Sequence, residues 1–370
     1  MNHFAIAGVV AIGLGVLVAC GGALAPSEPS PPADSAAPEN DPAGGGPNGS
    51  GSDAGSAAGG GKIDGPNGLA DAARNTDAGA AGDGGAADAA PSCDTTEPFS
   101  ASIEVPGLEH KMGQPGEAVP VFSDVRLTAD ELRAVYTVGT KASFGPFLVE
   151  VTRPSRSLAF DGARIMNELP AFYSKSHGTF SPDGLVIYFD GNHPAKGVFS
   201  AQRTDVSLPF DAPSRVMPLT DTDYAPYLVG TDLWFERMGV TDFHIFNVSL
   251  LMGGGAIPVA ATQLDALNKS DVDPVVSADG LTVFFARGVS PPNPGAYGTG
   301  NAGSPRMMEA RRASPQAPFV LREVCELNTI GNERPSWLSP DGCRLYFTTG
   351  NTSTVSGNAN TVRVASRCAP

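Results

Sequence analysis

Several features that would mark an enzyme or a nucleic-acid binder are missing from this sequence. No Cys-x-x-Cys, His-x-x-x-His or His-Glu-x-x-His spacing occurs, which removes the common zinc frameworks. The five histidines, His3, His110, His177, His193 and His244, form no local pair from which a Ser-His-Asp arrangement could be read. The one fragment near a nucleophile elbow, around Gly49-Ser50-Gly51, sits in a stretch with no strand or helix pattern. The Gly-rich run from Gly44 to Gly61 lacks the Gly-Lys-Ser/Thr ending of a phosphate loop. Positive charge is short as well: the formal net charge is −15, which argues against nucleic acid or an anionic membrane face as a partner. No apolar run is long enough for a membrane span; Ala5 to Ala19 has the length of a signal-peptide core.

That run leads into Leu17-Val18-Ala19-Cys20, which resembles the bacterial lipobox, where small residues precede a cysteine that receives the lipid. No Lys or Arg precedes the run. The resemblance implies cleavage of residues 1–19 and lipidation at Cys20. Gly21 rather than Asp follows, which implies the outer membrane if the organism sorts lipoproteins as enterobacteria do. From Gly21 to Ser92 the chain is almost wholly Gly, Ala, Pro, Ser, Asp and Asn, without one aromatic residue. Such a segment cannot bury enough apolar surface to offset the entropy of ordering it. Residues 20–92 therefore read as a disordered tether, about 45 Å in mean reach for a Gly/Ser-like coil. The tether carries a charge of −8 and residues 93–370 carry −7.

Residues 93–370 repeat a phrase five times: Leu127-Thr-Ala-Asp130 to Tyr136, Phe180-Ser-Pro-Asp183-Gly184 to Phe189, Tyr227 to Phe235, Val276-Ser-Ala-Asp279-Gly280 to Phe285, and Leu338-Ser-Pro-Asp341-Gly342 to Phe347. Counted from Asp130, Asp183, Val229, Asp279 and Asp341, the steps are 53, 46, 50 and 62 residues, a period that suits four short strands and their turns. Each copy is a hairpin pattern. A third β-like segment follows, often ending in Arg (Arg153, Arg203, Arg311, Arg367), and a fourth begins with an aromatic or apolar residue. The fourth type also precedes the first hairpin, at Phe99 to Leu108, and is absent after the last. It is therefore expected to complete the final blade of an all-β propeller of five four-stranded blades, six being the alternative. Cys93, Cys325, Cys343 and Cys368 form an even set in an exported chain, so disulfides are expected. Cys325–Cys343 within one repeat and Cys93–Cys368 across the two ends are the favoured pairs.

Ser-Pro-Asp-Gly followed by Tyr188-Phe189 or Tyr346-Phe347 resembles the TolB-like propeller repeat, over nearly all of residues 99–370. The resemblance implies a propeller that docks protein partners in the cell envelope. It is nearly silent about activity.

Among candidate functional residues, Asp183, Asp279 and Asp341 sit where an Asp side chain accepts backbone N–H bonds in a turn, and read as structural. Six residues upstream of the turns lie Asp124, His177, Asp223 and Asp273, with Glu333 near the equivalent place in the last copy. In a propeller they would converge on one mouth of the central channel as a ligand or cation site, with calcium possible at Asp223 and Asp273. No catalytic residue and no cofactor besides that calcium is assigned. The expectation is a non-catalytic, monomeric envelope scaffold for a protein or glycan, touching the membrane only through its lipid and binding no nucleic acid. The alternative is a glycoside hydrolase or lyase using a carboxylate pair such as Asp223 and Asp273.

Overall fold

The structure, a computed structural model, describes residues 93–108, 121–139, 147–169, 175–192, 196–266, 269–289, 305–328, 332–349 and 361–367. The expected signal peptide, Cys20, the tether, Cys368 and most of the polar insertions at 290–305 and 348–360 lie outside the described residues.

Five antiparallel four-stranded sheets form a ring of blades. Blade 1 comprises β2 (Val121–Leu127), β3 (Arg133–Gly139), β4 (Phe147–Thr152) and β5 (Asp161–Ile165). Blade 2 comprises β6 (Lys175–Phe180), β7 (Val186–Gly191), β8 (Gly197–Gln202) and β9 (Ser214–Arg215). Blade 3 is built from β10 (Asp223–Val229), β11 (Asp232–Met238), β12 (Phe243–Ser249) and β13 (Val259–Ala260). Blade 4 is built from β14 (Lys269–Val276), β15 (Thr282–Val289), β16 (Arg306–Arg311) and β17 (Val320–Glu323). Blade 5 holds β18 (Glu333–Leu338), β19 (Arg344–Thr349) and β20 (Thr361–Ser366), and its outer strand is β1 (Ile103–Glu104) from the other end of the domain, pairing antiparallel to β20. The expected closure by the Phe99 segment is thus observed. The first strands β2, β6, β10, β14 and β18 pack in succession, and β18 packs on β2, so they surround the axis.

Local chemistry explains the hairpins. Ser181 Oγ donates to Asp183 Oδ1 at 2.6 Å and accepts from Val186 N at 2.8 Å, while Asp183 Oδ1 accepts from Leu185 N at 3.0 Å. Ser277 with Asp279, Ser339 with Asp341, and Thr128 with Asp130 repeat this arrangement. The next residue is left-handed, with φ of 71° at Gly184 and 68° at Gly280, which glycine adopts without steric cost. Glu131 stands in the same place at φ 64°. Its buried carboxylate accepts from Tyr346 Oη at 2.7 Å and from Arg344 at 2.6 Å, tying blade 1 to blade 5. Blade 3 lacks the motif because Val229 pairs directly with Asp232, leaving the two-residue turn Gly230-Thr231.

The terminal arginines clamp these turns. Arg153 Nε donates to the Glu131 carbonyl at 2.7 Å and Arg203 Nε to the Gly184 carbonyl at 2.9 Å, and in blade 4 Arg312, one residue beyond the expected Arg311, donates to Gly280. Each guanidinium lies over the aromatic residue that opens the outer segment, 4.4 Å from Phe160, 4.3 Å from Phe210 and 4.7 Å from Phe319. In blade 5, Arg367 stacks 4.1 Å over Phe99, so the N-terminal segment fills the place its counterparts fill elsewhere.

The disulfide pairing differs from expectation. Cys93 joins Cys343 with Cα atoms 5.8 Å apart, so Cys343 is not paired with Cys325, nor Cys93 with Cys368. Cys325 follows β17 at the outer side of blade 4, whereas Cys343 lies in the blade 5 hairpin, so nearness in sequence does not become nearness in space. The segment that delivers β1 runs beside that hairpin, where the Thr95 carbonyl accepts from Arg367 Nη1 at 2.5 Å. Cys325 is also disulfide-bonded.

Candidate functional site at the channel mouth

Every inner strand carries a register shift: between Ser123 and Arg126, Ser176 and Thr179, Tyr224 and Tyr227, Val272 and Val275, and Pro335 and Trp337. Such bulges re-aim side chains. In the first four blades the residue at the bulge is left-handed although none is glycine: Asp124 (φ 54°), His177 (53°), Ala225 (48°) and Asp273 (56°). Ring position is therefore defined by the backbone, and four inner strands present the same conformation to the axis.

Three of these residues meet. Asp124, His177 and Asp273 each offer one ligand atom, and these atoms all lie within 4.8 Å of one another. They come from blades 1, 2 and 4, so the group lies across the axis. His177 Nε2 is 2.9 Å from Asp124 Oδ2, and its Nδ1 is 2.6 Å from Asp190 Oδ1. Asp190 is itself held by Ser176 Oγ at 2.6 Å. Arg334 Nη1 donates to Asp273 Oδ2 at 2.9 Å, and the Asp273 amide donates to Glu236 Oε2 at 3.3 Å. The His177 amide likewise donates to Thr137 Oγ1 at 3.0 Å. Thr137, Asp190 and Glu236 occupy one position on the second strands of blades 1, 2 and 3, and two of them anchor the ring residue of a following blade.

Burial dominates the electrostatics. It pushes the Glu236 carboxyl up to about 8, with the neighbouring Asp273 charge acting in the same direction, which favours its protonated form. Asp273 is raised by burial, with Arg334 opposing. Burial disfavours a charged His177, yet the carboxylates of Asp124 and Asp190 on either side hold its imidazolium well above the usual range. With 24 % of its side chain exposed against 3 % for Asp124 and 2 % for Asp273, His177 is the open edge of the group.

Two residues along β2 from Asp124, Arg126 is wholly buried with its guanidinium 4.8 Å over the Tyr227 ring. Tyr227 belongs to blade 3 and is hydrogen-bonded to the Leu338 backbone of blade 5, so these side chains link blades 1, 3 and 5. Among the described residues, none of the three Arg126 guanidinium nitrogens has a hydrogen-bond partner.

The structure does not bring Asp223 and Glu333 to this group. Asp223 receives Arg237 in bidentate fashion, Nε to Oδ1 at 2.6 Å and Nη2 to Oδ2 at 2.9 Å, and also the Thr220 amide at 2.7 Å. It is the counterpart of Asp271, which pairs with Arg287 in the same way at 2.7 Å. Glu333 is buried opposite Thr349, two residues before Pro335. The cause is the two-residue turn of blade 3, two residues shorter than the others, so counting back from Val229 stops at Asp223 where the ring residue is Ala225. With both oxygens of Asp223 engaged, an Asp223–Asp273 acid–base pair is not available. Glu236 and Asp190 carried a signal in the sequence: each directly follows the aromatic pair of its hairpin, Trp234-Phe235 and Tyr188-Phe189.

No protein-family model matches the chain, and no curated protein matches it. Solved structures do resemble it in fold. TolB from Acinetobacter baumannii has 12% identity and a TM-score of 0.40, covering 67% of this chain and 55% of that one. The catalytic domain of the GH62 α-L-arabinofuranosidase of Coprinopsis cinerea has 11% identity and a TM-score of 0.45, covering 75% and 98% respectively. A thermostable family-43 glycoside hydrolase has 14% identity and a TM-score of 0.45, covering 72% and 92%. At these identities the likeness is one of fold.

Proposed function

We propose that this chain is a lipid-anchored binding scaffold of the cell envelope whose channel mouth recognises a protein or glycan. One observation carries the reading: four equivalent bulges aim their residues at the axis, and the polar ones, Asp124, His177 and Asp273, converge within 4.8 Å at the end where His177 is open. Convergent polar groups at the mouth of a ring are where ligands bind. The lipobox-like Leu17-Val18-Ala19-Cys20 and the tether that follows supply the anchor and the reach. The nearest ligand atoms of Asp124 and Asp273 lie within 4.8 Å, and each carboxylate is already engaged, by His177 and Arg334, which leaves neither free as a glycosidase acid or base.

A glycoside hydrolase is the second reading, and Glu236 favours it: a buried carboxyl whose protonated form is favoured is what a general acid requires. Both readings are tested together by incubating the full chain with envelope polysaccharides and measuring binding and reducing-end release, with Glu236→Gln alongside. Binding without release in wild type supports the scaffold. Release that Glu236→Gln abolishes replaces it with the enzyme.

A further inference from the structure

We propose that Asp124, His177 and Asp273 form a binding site for a first-row divalent cation such as Zn2+, on the axis of the propeller. The proposal deepens the reading of the mouth as a binding site and does not depend on what partner is bound there. Three ligand atoms from three blades lie within 4.8 Å of one another. A cation with bonds of about 2.0–2.2 Å holds neighbouring ligand atoms roughly 3–4 Å apart, so small side-chain movements complete the shell. An imidazole among carboxylates suits a borderline cation better than the hard, all-oxygen preference of calcium.

The surroundings match those of a metal-ligating histidine. Asp190 holds His177 Nδ1 at 2.6 Å and so directs Nε2 toward Asp124, the carboxylate–histidine arrangement that orients a ligand from behind. Arg334 fixes one oxygen of Asp273 at 2.9 Å, which orients that carboxylate. Open positions of the cation would face the mouth along the exposed edge of His177.

An independent observation comes from below the ring. Arg126 is wholly buried, its charge acts on Asp273, and among the described residues its three guanidinium nitrogens have no hydrogen-bond partner. An unpaired buried charge is strongly unfavourable, and among the described residues no carboxylate is bonded to it: Asp124 pairs with His177 and Asp273 with Arg334. A cation with open positions brings its own oxygen ligand, a hydroxide or the carboxylate of a bound molecule, and that oxygen is the kind of acceptor Arg126 lacks.

The test is calorimetric titration of Zn2+ into the full chain after chelator treatment, with the absorption spectrum of bound Co2+ as a second readout. Zn2+ is expected to bind with one-to-one stoichiometry and the Co2+ spectrum to indicate nitrogen ligation. His177→Ala is expected to abolish both. Asp190→Asn is expected to weaken affinity about 10–100-fold, as loss of a partner behind a ligand does, and covers the case in which His177→Ala fails to fold. Asp223→Asn and His244→Asn, the latter removing the surface histidine between Asp242 and Asp265, are expected to bind as wild type. No stoichiometric binding, or binding that survives both His177→Ala and Asp190→Asn, overturns the proposal. Polysaccharide binding measured with and without Zn2+ separates the two readings: cation binding without a partner leaves this one standing alone, and partner binding without a cation site leaves only the scaffold.

Discussion

Removing the Cys93–Cys343 bridge tests how the ring is closed. The bridge spans 250 residues, and the chain-entropy relation for a loop of that size gives about 5.5 kcal/mol of stabilisation through the unfolded state. This value is a ceiling, because a second bridge through Cys325 already restricts the same unfolded chain. Cys93→Ser with Cys343→Ser is therefore expected to lose roughly 3–5 kcal/mol in urea unfolding, and a Tm fall of about 10 °C follows for a domain of this size. The N-terminal segment has a second hold, since Phe99 is buried beneath Arg367 and β1 pairs with β20. Phe99→Ala alone is expected to cost about 3–5 kcal/mol as a buried aromatic truncation. If both features hold one segment, the triple variant will not lose the sum of the two, because residues sharing an element couple. A serine pair within about 1 kcal/mol of wild type would refute the cross-link as a closure device, and additive losses would refute a shared one.

Three further outcomes follow from the polar interior. Glu309 accepts from Arg311, Arg322 and Arg367, the last only 2% exposed, so Glu309→Gln is expected to lose about 3–5 kcal/mol; Glu326→Gln, which breaks a half-exposed pair with Arg322, is expected to lose under about 1 kcal/mol, both read by urea unfolding. Against the effect of burial, arginines hold Glu150 and Glu309 below the usual value of 4.5. Depressed carboxylates contribute stability above that value and lose it as pH falls through the folded one, so the urea midpoint should drop below about pH 4.5, with the drop smaller in Glu309→Gln, while the raised Glu236 and His177 make it fall as pH rises through neutrality. Ala225 is wholly buried at the ring position of blade 3 with φ 48°, so Ala225→Asp, which adds volume and an unpaired buried carboxylate, is expected to cost at least about 1–3 kcal/mol; thermal melts of Ala225→Asp with and without Zn2+ check this, and an unchanged Tm would show that position 225 does not face the ring.

What could be read in the sequence was what is made locally. The hairpins rest on hydrogen bonds spanning two to five residues, such as Ser181 with Asp183 and Val186, so the motif and the turn coincide. The closing strand was legible because Phe99 stands before the first hairpin in the role that Phe160 and Phe210 play after theirs. The ring register was less legible. In blade 3 a two-residue turn removes two positions between the aligned turn and the bulge, and in blade 5 the shift between Pro335 and Trp337 skips one residue where the others skip two. The cross-blade partners were invisible for another reason. Glu236, Asp190 and Arg334 each read as one polar residue in a β-run, and their roles depend on which blade stands next. The Cys93–Cys343 bridge joins residues whose nearness exists only after the ring has closed.

Two polar systems in the ring have different origins. Near the outside, the arginines that follow the third strands of blades 1, 2 and 4 each meet a turn carbonyl and an aromatic face of their own blade, as Arg203 meets Gly184 and Phe210; that system recurs with the hairpin motif it clamps. At the axis the backbone repeats while the chemistry does not: one left-handed bulge presents Asp, His, Ala and Asp in turn. A non-glycine residue in that conformation costs roughly 1–2 kcal/mol, and a purely structural bulge would be relieved by glycine. The strain is spread over four blades, whereas the polar groups are concentrated on Asp124, His177 and Asp273, with Asp190, Glu236 and Arg334 behind them. Asymmetric chemistry on a symmetric backbone is what a site for one small ligand on the axis requires, and the blade repeat alone does not account for it.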